Sequence, residues 1–395
     1  MSTEFNRPNL VENKATHPLY WITEQELNLE NLRRGYIKKA SESLPSLFND
    51  FVSKESRLDP FVAKIFEDYL RMLSGGRKIR GLLAAVSFSI SDGEPHFREE
   101  IIRSSLAYEM IHNAFLIHDD IEDNSPTRRD QDTLHVAYQK LADKLGSQDT
   151  QNLGKALALN AGDKGPAIAF LIILRSNLPD DRKLASITHL SEVISDTVSG
   201  QAIDLSHMSL DQLTRRKVYQ IDVFKTAKYT FAGPLKLGSI LAGASEREQQ
   251  LYVKFGLPLG IAFQIYDDIA GVFGNPEELG KPTDSDLKEA KKTLLFWYAF
   301  NTGSRQQRTI LQHSWGNQSL TEENLNQVRE ILLSTGSVDY SFNVAKALVY
   351  QAKKFIPKIT DNAETRQVLE QIADFSITNY VSIKNLSHST ANHFG

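Results

Sequence analysis

Apolar residues recur at intervals of three and four positions along most of the chain, as they do from Phe61 to Leu73 and from Leu184 to Ile194. This spacing places apolar side chains on one face of an α-helix. The short stretch 86–90 alternates as a β-strand does, but it lies inside a longer helical pattern. The chain is therefore predicted to be all-α, with roughly ten or more helices.

Glycine, proline and short polar residues mark the predicted breaks between helices. They fall at 74–76, 91–93, 177–180, 274–276 and 301–303. Residues 143–154 are predicted to form a solvated insert between two helices. Residues 1–22 read as a polar N-terminal extension, and residues 23–395 as a single helical domain.

Composition narrows the class of protein. The chain has 395 residues, of which 41% are hydrophobic, so a large core is expected. The formal net charge of −4 argues against a general nucleic-acid binder. The absence of cysteine excludes disulfides and thiol nucleophiles, and it is compatible with the cytoplasmic location that we expect. No secretory signal is evident in residues 1–20, and no apolar run reaches about 18 residues, so no membrane-spanning helix is expected.

The first candidate for chemistry is an acidic group that follows the apolar segment 111–118. Asp119 and Asp123 lie only about 40° apart on a helix, so their carboxylates face the same way. Carboxylates beside an apolar segment need a compensating cation or hydrogen bonds. Oxygen ligands of this kind bind Mg²⁺, which fills its shell with water and substrate phosphate. A solvated acidic helix end is the alternative.

Neighbouring basic residues favour the metal site over that alternative. Arg128 and Arg129 follow the acidic group, and a pair of guanidinium groups suits phosphate oxygens. His112 precedes Asp119 by seven residues and shares its helical face. Acids, arginines and a histidine together indicate a binding site for an anion held with a metal.

A second acidic pair, Asp267 and Asp268, follows another apolar segment. Gln264 lies on the same helical face as Asp267. Lys281 and Lys291 come in the segment that follows, where they could close over a phosphate. Solvated lysines are the alternative, because lysine is mostly exposed in proteins.

Three further polar segments interrupt the helical pattern. Residues 75–80 pair two glycines with three cations, at a position where a helix N-terminus could attract an anion. Gly200–Gln201 and Lys225–Thr226 place polar groups within otherwise apolar helices. A kink satisfied by water explains these groups almost as well as a ligand does.

Taken in order, these motifs resemble those of the trans-isoprenyl diphosphate synthases, the family of the farnesyl and geranylgeranyl diphosphate synthases. The resemblance runs from about Leu73 to Leu295. It rests on Gly75–Arg80, Leu116–Asp123 with Arg128–Arg129, Asn160–Asp163, Gly200–Gln201, Lys225–Ala227 and Phe263–Asp268.

The resemblance implies an isoprenoid-synthase-type helical bundle around a central apolar cavity, assembled as a homodimer. It also implies three Mg²⁺ ions and two substrates, isopentenyl diphosphate and an allylic diphosphate. The implied metal ligands are Asp119, Asp123 and Asp267. The implied ligands of the allylic diphosphate are Arg128, Lys225, Gln264, Lys281 and Lys291. Isopentenyl diphosphate would be held by Arg77, Arg80, His112 and Arg129. Thr226 and Gln264 would lie beside the developing carbocation, so the implied catalytic residues are Lys225, Thr226 and Gln264.

Product length is expected to depend on the wall below Asp119. Phe115 lies one helical turn earlier on nearly the same face, and Ala114 beside it is small. A bulky Phe115 should block very long chains, while Ala114 should permit more than the shortest. Geranylgeranyl diphosphate is therefore the favoured product and farnesyl diphosphate the next. Simple core packing is an equally compatible reading of Phe115.

Several positions depart from the pattern of the family. Gly81 replaces a proline, Gly271 replaces the last aspartate of the second motif, and Ala290 replaces a glycine. Asp130 and Asp132 stand where glycine and proline are usual. These changes leave two alternatives open: a weakly active or regulatory subunit of a heteromeric synthase and, less favoured, a terpene cyclase.

Overall fold

The computed structural model describes residue 19 and residues 28–378, apart from residues 130, 207 and 276–282. The first helices are α1 (Leu29–Leu58), α2 (Pro60–Ser74), α3 (Ile79–Ile90), α4 (Arg98–Glu122), α5 (Leu134–Lys144), α6 (Thr150–Leu174), α7 (Asp180–Leu205) and α8 (Arg215–Ile221). A π-helix (Asp222–Ala232) follows. The remaining helices are α9 (Gly233–Ala242), α10 (Glu246–Phe273), α11 (Ser285–Lys288), α12 (Leu294–Thr302), α13 (Arg305–Ser314), α14 (Glu322–Ser334), α15 (Ser337–Lys353), α16 (Ile356–Ile359) and α17 (Ala363–Phe375).

The all-α prediction is confirmed. In the described chain, β-strands are confined to the two-residue strands β1 (Thr127–Arg128) and β2 (Gln131–Asp132), which pair antiparallel. A 3₁₀ turn, Pro95–Phe97, leads into α4. The alternating stretch 86–90 is helical and lies in α3, as its surroundings predict.

The predicted insert at 143–154 is wrong in its length. Helix α6 already begins at Thr150, because the side chain of Asp149 accepts a hydrogen bond from the backbone N–H of Asn152 and caps the helix. Gly154 then allows α6 to lie directly against α5, since a Cβ there would be 2.6 Å from the carbonyl oxygen of His135. The polar residues at the start of α6 therefore belong to a packed helix.

The long helices surround one apolar core. Helix α4 packs mainly on α6, and α10 packs on the π-helix and α15. Leu19 is the one described residue of the predicted N-terminal extension, and it is fully buried in this core. The rest of segment 1–22 lies outside the described residues, so the division of the chain at residue 22 stays a prediction.

Helix α6 is long and apolar enough to cross a membrane, in contrast to the expectation from the sequence. About 44% of its apolar window is buried against the rest of the protein. One helix of this kind is weak evidence for a membrane span, because helices in the cores of soluble proteins can be equally long and apolar.

Candidate active site

Carboxylates at the C-terminal ends of two helices face one cavity. Asp119 and Asp123 lie at the end of α4, and Asp267 and Asp268 lie in the last part of α10. All four line a cavity of about 640 Å³. The C-terminal end of a helix carries a partial negative charge, which disfavours acids there. Two acidic helix ends facing each other therefore create a strong demand for cations.

The pKa of Asp123 reflects the concentration of acidic groups in this cavity. Burial, then the nearby Asp119 and Glu289, raise its pKa to about 7. The donors are hard oxygens, which suit Mg²⁺. Within the described part of the chain, no three acidic or histidine side chains converge as a complete metal cage. The donor set fits Mg²⁺ that also takes water and phosphate oxygens, as this ion usually does.

Arg128 is fixed by the second aspartate of the first motif. Its Nε and Nη2 atoms donate to the carboxylate of Asp120 at 2.9 and 2.7 Å, and Nη2 lies 3.7 Å from Asp119. Asp120 is 3% exposed, so this two-point contact satisfies a buried acid. Arg128 is thus held in a fixed position beside Asp119 and Asp120.

Lys225 occupies the same cavity from the π-helix. Its Nζ atom donates to Asp204 at 2.7 Å and lies 3.8 Å from Asp119. Asp204 lies near the end of α7 and was not predicted as a site residue. The ammonium group is therefore oriented toward the first acidic motif by a partner from a third helix.

Thr226 and Gln264 form a chain of hydrogen bonds that ends at the second motif. The hydroxyl of Thr226 donates to Oε1 of Gln264 at 2.7 Å, and Nε2 of Gln264 donates to Asp268 at 2.7 Å. Hydrogen bonds run from residue i to i+5 in a π-helix. This wider turn lets Lys225, Thr226 and Tyr229 all face the cavity.

Lys291 enters the cavity from the segment after α11. Its Nζ atom donates to Asp286 at 2.8 Å and lies 3.3 Å from Glu289. Burial alone would lower its pKa, but these two acids raise the pKa well above the ordinary value. Lys281, the other predicted lysine, lies outside the described residues.

The glycine pair makes room for Arg129. Added Cβ atoms at Gly75 and Gly76 would lie 2.9 and 3.0 Å from its guanidinium nitrogens. Arg129 lines the cavity, whereas Arg77 is exposed and does not. Lys78 turns inward instead, and its ammonium group donates to the backbone carbonyl of Gly75 at 3.0 Å.

Arg80 and His112 are linked through Tyr229. Arg80 donates to the hydroxyl of Tyr229 at 2.7 Å, and Nδ1 of His112 lies 3.1 Å from the same hydroxyl. Burial, then Arg80, lower the pKa of His112 well below its ordinary value. Arg80 and Tyr229 line the cavity, while His112 lies behind the tyrosine.

A mainly apolar cavity of about 310 Å³ adjoins the acidic one. Asp119, Lys225, Thr226 and Tyr229 line both cavities, and Phe115 lines only the apolar one. The rings of Phe115 and Tyr229 meet edge to face, with centroids 5.4 Å apart.

The predicted position of Ala114, beside Phe115 in the wall below Asp119, is wrong, because Ala114 lines neither cavity. It is buried against α6, where an added Cβ on Gly165 would be 2.7 Å from its own Cβ. Five residues correspond to about 140° around a helix, so Ala114 faces away from the direction of Asp119.

Asp132 also turns away from the cavity. Its carboxylate accepts a hydrogen bond from Lys140 of α5 at 2.5 Å, and it is absent from the cavity lining. Asp132 is therefore paired with a lysine and adds no negative charge to the cavity. Asp130 lies outside the described residues.

The sequence alone did not single out Asp222, Tyr229 and Asp286, although the first two line the cavity and the third holds Lys291. Two signals were available. Asp222 and Tyr229 flank Lys225 and Thr226 at spacings of three and four, and Asp286 precedes Lys291 by five residues. Such spacings are common in any helical protein, so only the structure distinguishes these residues from ordinary ones.

Comparison with known proteins shows the family to which the chain belongs. Residues 60–332 match the model of the polyprenyl synthetase family. A geranylgeranyl diphosphate synthase of Saccharolobus solfataricus is 31% identical over 86% of this chain and 98% of its own length. A geranylgeranyl diphosphate synthase of Sulfolobus acidocaldarius is 28% identical over 87% of this chain and 97% of its own length.

Solved structures of related proteins share this fold. A geranylgeranyl pyrophosphate synthase from Corynebacterium glutamicum, solved with isoprenyl diphosphate and magnesium, superposes with a TM-score of 0.80 at 25% identity. The match covers 89% of this chain and 99% of that one. The helical fold and its acidic cavity are those of an enzyme that transfers prenyl groups. The chain belongs to the polyprenyl synthetase family.

Proposed function

We propose that this protein condenses isopentenyl diphosphate with an allylic diphosphate to give a short all-trans prenyl diphosphate. One observation carries the proposal: the acidic cavity, with its arginines and lysines, opens onto an apolar cavity at Asp119. A diphosphate joined to a hydrocarbon chain needs both environments side by side. The relatives named as geranylgeranyl diphosphate synthases support the same reaction.

The difficult step is departure of diphosphate from the allylic carbon, which leaves a carbocation. Bound Mg²⁺ would supply positive charge to the departing group, held by Asp119, Asp123 and Asp267, and we propose three such ions. Arg128 and Lys225 line the same cavity, and each is oriented by a carboxylate partner. Charges fixed in this way need no reorganisation during the reaction.

The remaining residues orient the two reactants. The hydroxyl of Thr226 and the amide of Gln264 present oxygen dipoles beside the place where the carbocation forms. The carbocation then alkylates the double bond of isopentenyl diphosphate, which we place near Arg80 and Arg129. A proton is lost from the condensed product, and the departed diphosphate is its expected acceptor.

We propose geranylgeranyl diphosphate as the main product, with farnesyl diphosphate next. Phe115 and Tyr229 together narrow the apolar cavity on the side of α4 and the π-helix. An inert regulatory subunit is disfavoured, because the carboxylates that the metal needs are present and share one cavity.

We also propose that the protein is a homodimer. The outward face of α6 carries apolar side chains, and Leu159 and Leu174 are 44% and 52% exposed. An exposed apolar face along one helix marks an interaction surface. Sedimentation velocity tests this point: Leu159→Arg should shift a dimeric wild type toward monomer.

The function itself is tested by product analysis. The protein is incubated with labelled isopentenyl diphosphate, each allylic primer in turn, and Mg²⁺. We expect prenyl diphosphates, mainly geranylgeranyl diphosphate. Release of a hydrocarbon from a single substrate would indicate a cyclase, and no product with any primer would indicate an inert subunit.

A further inference from the structure

Asp222 is a buried carboxyl of the cavity that neither acidic motif includes. It is the first residue of the π-helix, and its side chain lines the cavity although the residue is 3% exposed. Among the described residues, none donates a hydrogen bond to this carboxyl or forms an ion pair with it. A buried acid without such partners carries a large desolvation penalty.

Two neighbouring acids make ionisation of the buried Asp222 still less favourable. Burial, then Asp268 and Asp204, raise its pKa well above the ordinary value of an aspartate. Asp268 is itself 5% exposed, and it accepts a hydrogen bond from the side-chain amide of Gln264 at 2.7 Å. Two acids are thus held close together inside the protein.

The lysines of the cavity are engaged elsewhere. Lys225 donates to Asp204 at 2.7 Å, and Lys291 donates to Asp286 at 2.8 Å. Lys292 donates to the backbone carbonyl of Asp204. Lys288, which also lines the cavity, is paired with Asp284 at 2.6 Å. In the described part of the chain, none of these lysines therefore forms an ion pair with Asp222 or Asp268.

We propose that Asp222 is a ligand of a divalent cation of the Mg²⁺ class, which it binds together with the second acidic motif. The π-helix packs on α10 and brings this carboxyl to the cavity beside Asp268, on a helix where position 271 offers no carboxylate because it is a glycine. Hard divalent cations take carboxylate oxygens directly or through a coordinated water. The proposal rests on the proposed function of the cavity, and it adds a ligand from a helix outside both acidic motifs.

The test measures metal binding without turnover. The full-length protein with inorganic pyrophosphate is titrated with Mg²⁺, and with Mn²⁺ as an independent probe, while the melting temperature and the heat of binding are recorded. Asp222→Asn should weaken the apparent cation affinity roughly tenfold to a hundredfold. In EDTA its melting temperature should equal or exceed that of the wild type, because a buried acid without a hydrogen-bond partner is replaced by a neutral amide.

Asp68→Asn is the matched control. Asp68 is also buried, but it is paired with Lys64 and Arg71 at 3.2 and 2.8 Å, outside the cavity. This control should lower the melting temperature and leave the cation titration unchanged. Asp222→Glu keeps a carboxylate and should retain part of the affinity.

Two results would overturn the proposal, and they are distinguishable. If Asp222→Asn titrates as the wild type does, Asp222 is not a ligand and the function of the cavity stands. If the wild type with pyrophosphate shows no response to either cation, both the ligand and the proposed function fail.

Discussion

The carboxylate of Asp286 occupies the space that a side chain at Gly271 would need. A Cβ added to Gly271 would lie 2.0 Å from Oδ2 of Asp286. Asp286 is 2% exposed, and its other oxygen accepts the hydrogen bond from Lys291. The missing acid of the second motif is thus matched by an acid from the segment after α10, which also holds Lys291.

Gly271→Asp should therefore harm this protein, although it restores the pattern of the family. Overpacking costs about 1–3 kcal/mol, and displacement of Asp286 should release Lys291. We expect a lower free energy of unfolding by urea denaturation and a raised KM for the allylic diphosphate.

The double variant Gly271→Asp/Asp286→Gly separates the two effects. It moves the acid from α11 to α10 and should recover part of the stability that Gly271→Asp loses. Gly271→Ala adds the steric conflict without charge. Wild-type stability and KM in Gly271→Asp would show that the two positions are independent.

Gly81→Pro should also destabilise, although proline is usual there in the family. The backbone N–H of Gly81 donates to the buried carboxylate of Glu109 at 2.9 Å, and proline has no N–H. A Cβ at this position would also lie 2.0 Å from the hydroxyl of Tyr36. We expect a loss of at least about 2 kcal/mol in the free energy of unfolding.

Variants made in the Tyr36→Phe background separate the loss of the hydrogen bond to Glu109 from the steric conflict with Tyr36. In Tyr36→Phe, Gly81→Ala should be tolerated better than in the wild type, whereas Gly81→Pro should remain damaging. Equal losses for alanine and proline in that background would mean that the bond to Glu109 contributes nothing.

Ala290→Gly should stabilise the protein. Ala290 has φ of 55°, in the left-handed region that glycine adopts without strain. Relief of about 1–2 kcal/mol of strain is partly offset by the larger entropy of the unfolded chain, so we expect a net gain of about 0.5–1 kcal/mol. Ala156→Gly, at an exposed position inside α6, should instead lose about 1 kcal/mol. Losses of similar size in both variants would contradict the strain at position 290.

Phe115→Ala should lengthen the main product by at least one isoprene unit. The ring of Phe115 lies in the wall of the apolar cavity against Tyr229, and its removal deepens the cavity beside Asp119. Chromatography of the dephosphorylated products measures the change. Phe170→Ala, in α6 and outside both cavities, is the control and should leave the product distribution as it is. An unchanged distribution in Phe115→Ala would assign that ring to core packing alone.

Stability should fall as the pH drops below about 6.5, partly through His189. Its Nε2 atom lies 2.9 Å from the carbonyl oxygen of Gly233 and 3.2 Å from the hydroxyl of Tyr108, and burial lowers its pKa from 6.5 to about 4. Between these values the unfolded state binds more protons than the native state, so the free energy of unfolding rises with pH.

The contribution lost from pH 6.5 down to pH 4 is about 3 kcal/mol. Urea denaturation across this range measures it, and His189→Gln should flatten the slope. His96→Gln, at an exposed position outside this contact, is the control substitution. A slope in His189→Gln equal to that of the wild type would exclude this histidine as its source.

Much of the site could be predicted because local geometry decides it. The spacing of Asp119 and Asp123 fixes their common face, and the order of the motifs brings Asp267 to the same cavity. Ala114 was misplaced because adjacent residues diverge by about 100° around a helix, and packing decides which of them meets the cavity. The partnership of Asp286 with Gly271 depends on a contact between distant segments, which no spacing in the sequence marks.

The π-helix makes the number of residues between α8 and α9 as important as their identity. Each residue removed from such a turn rotates everything beyond it by about 100° relative to the neighbouring helices. A single deletion between Asp222 and Thr226 would turn part of the cationic and polar face toward the core while the bundle kept its connections. Relatives that retain this chemistry should therefore vary in composition along this segment far more readily than in length.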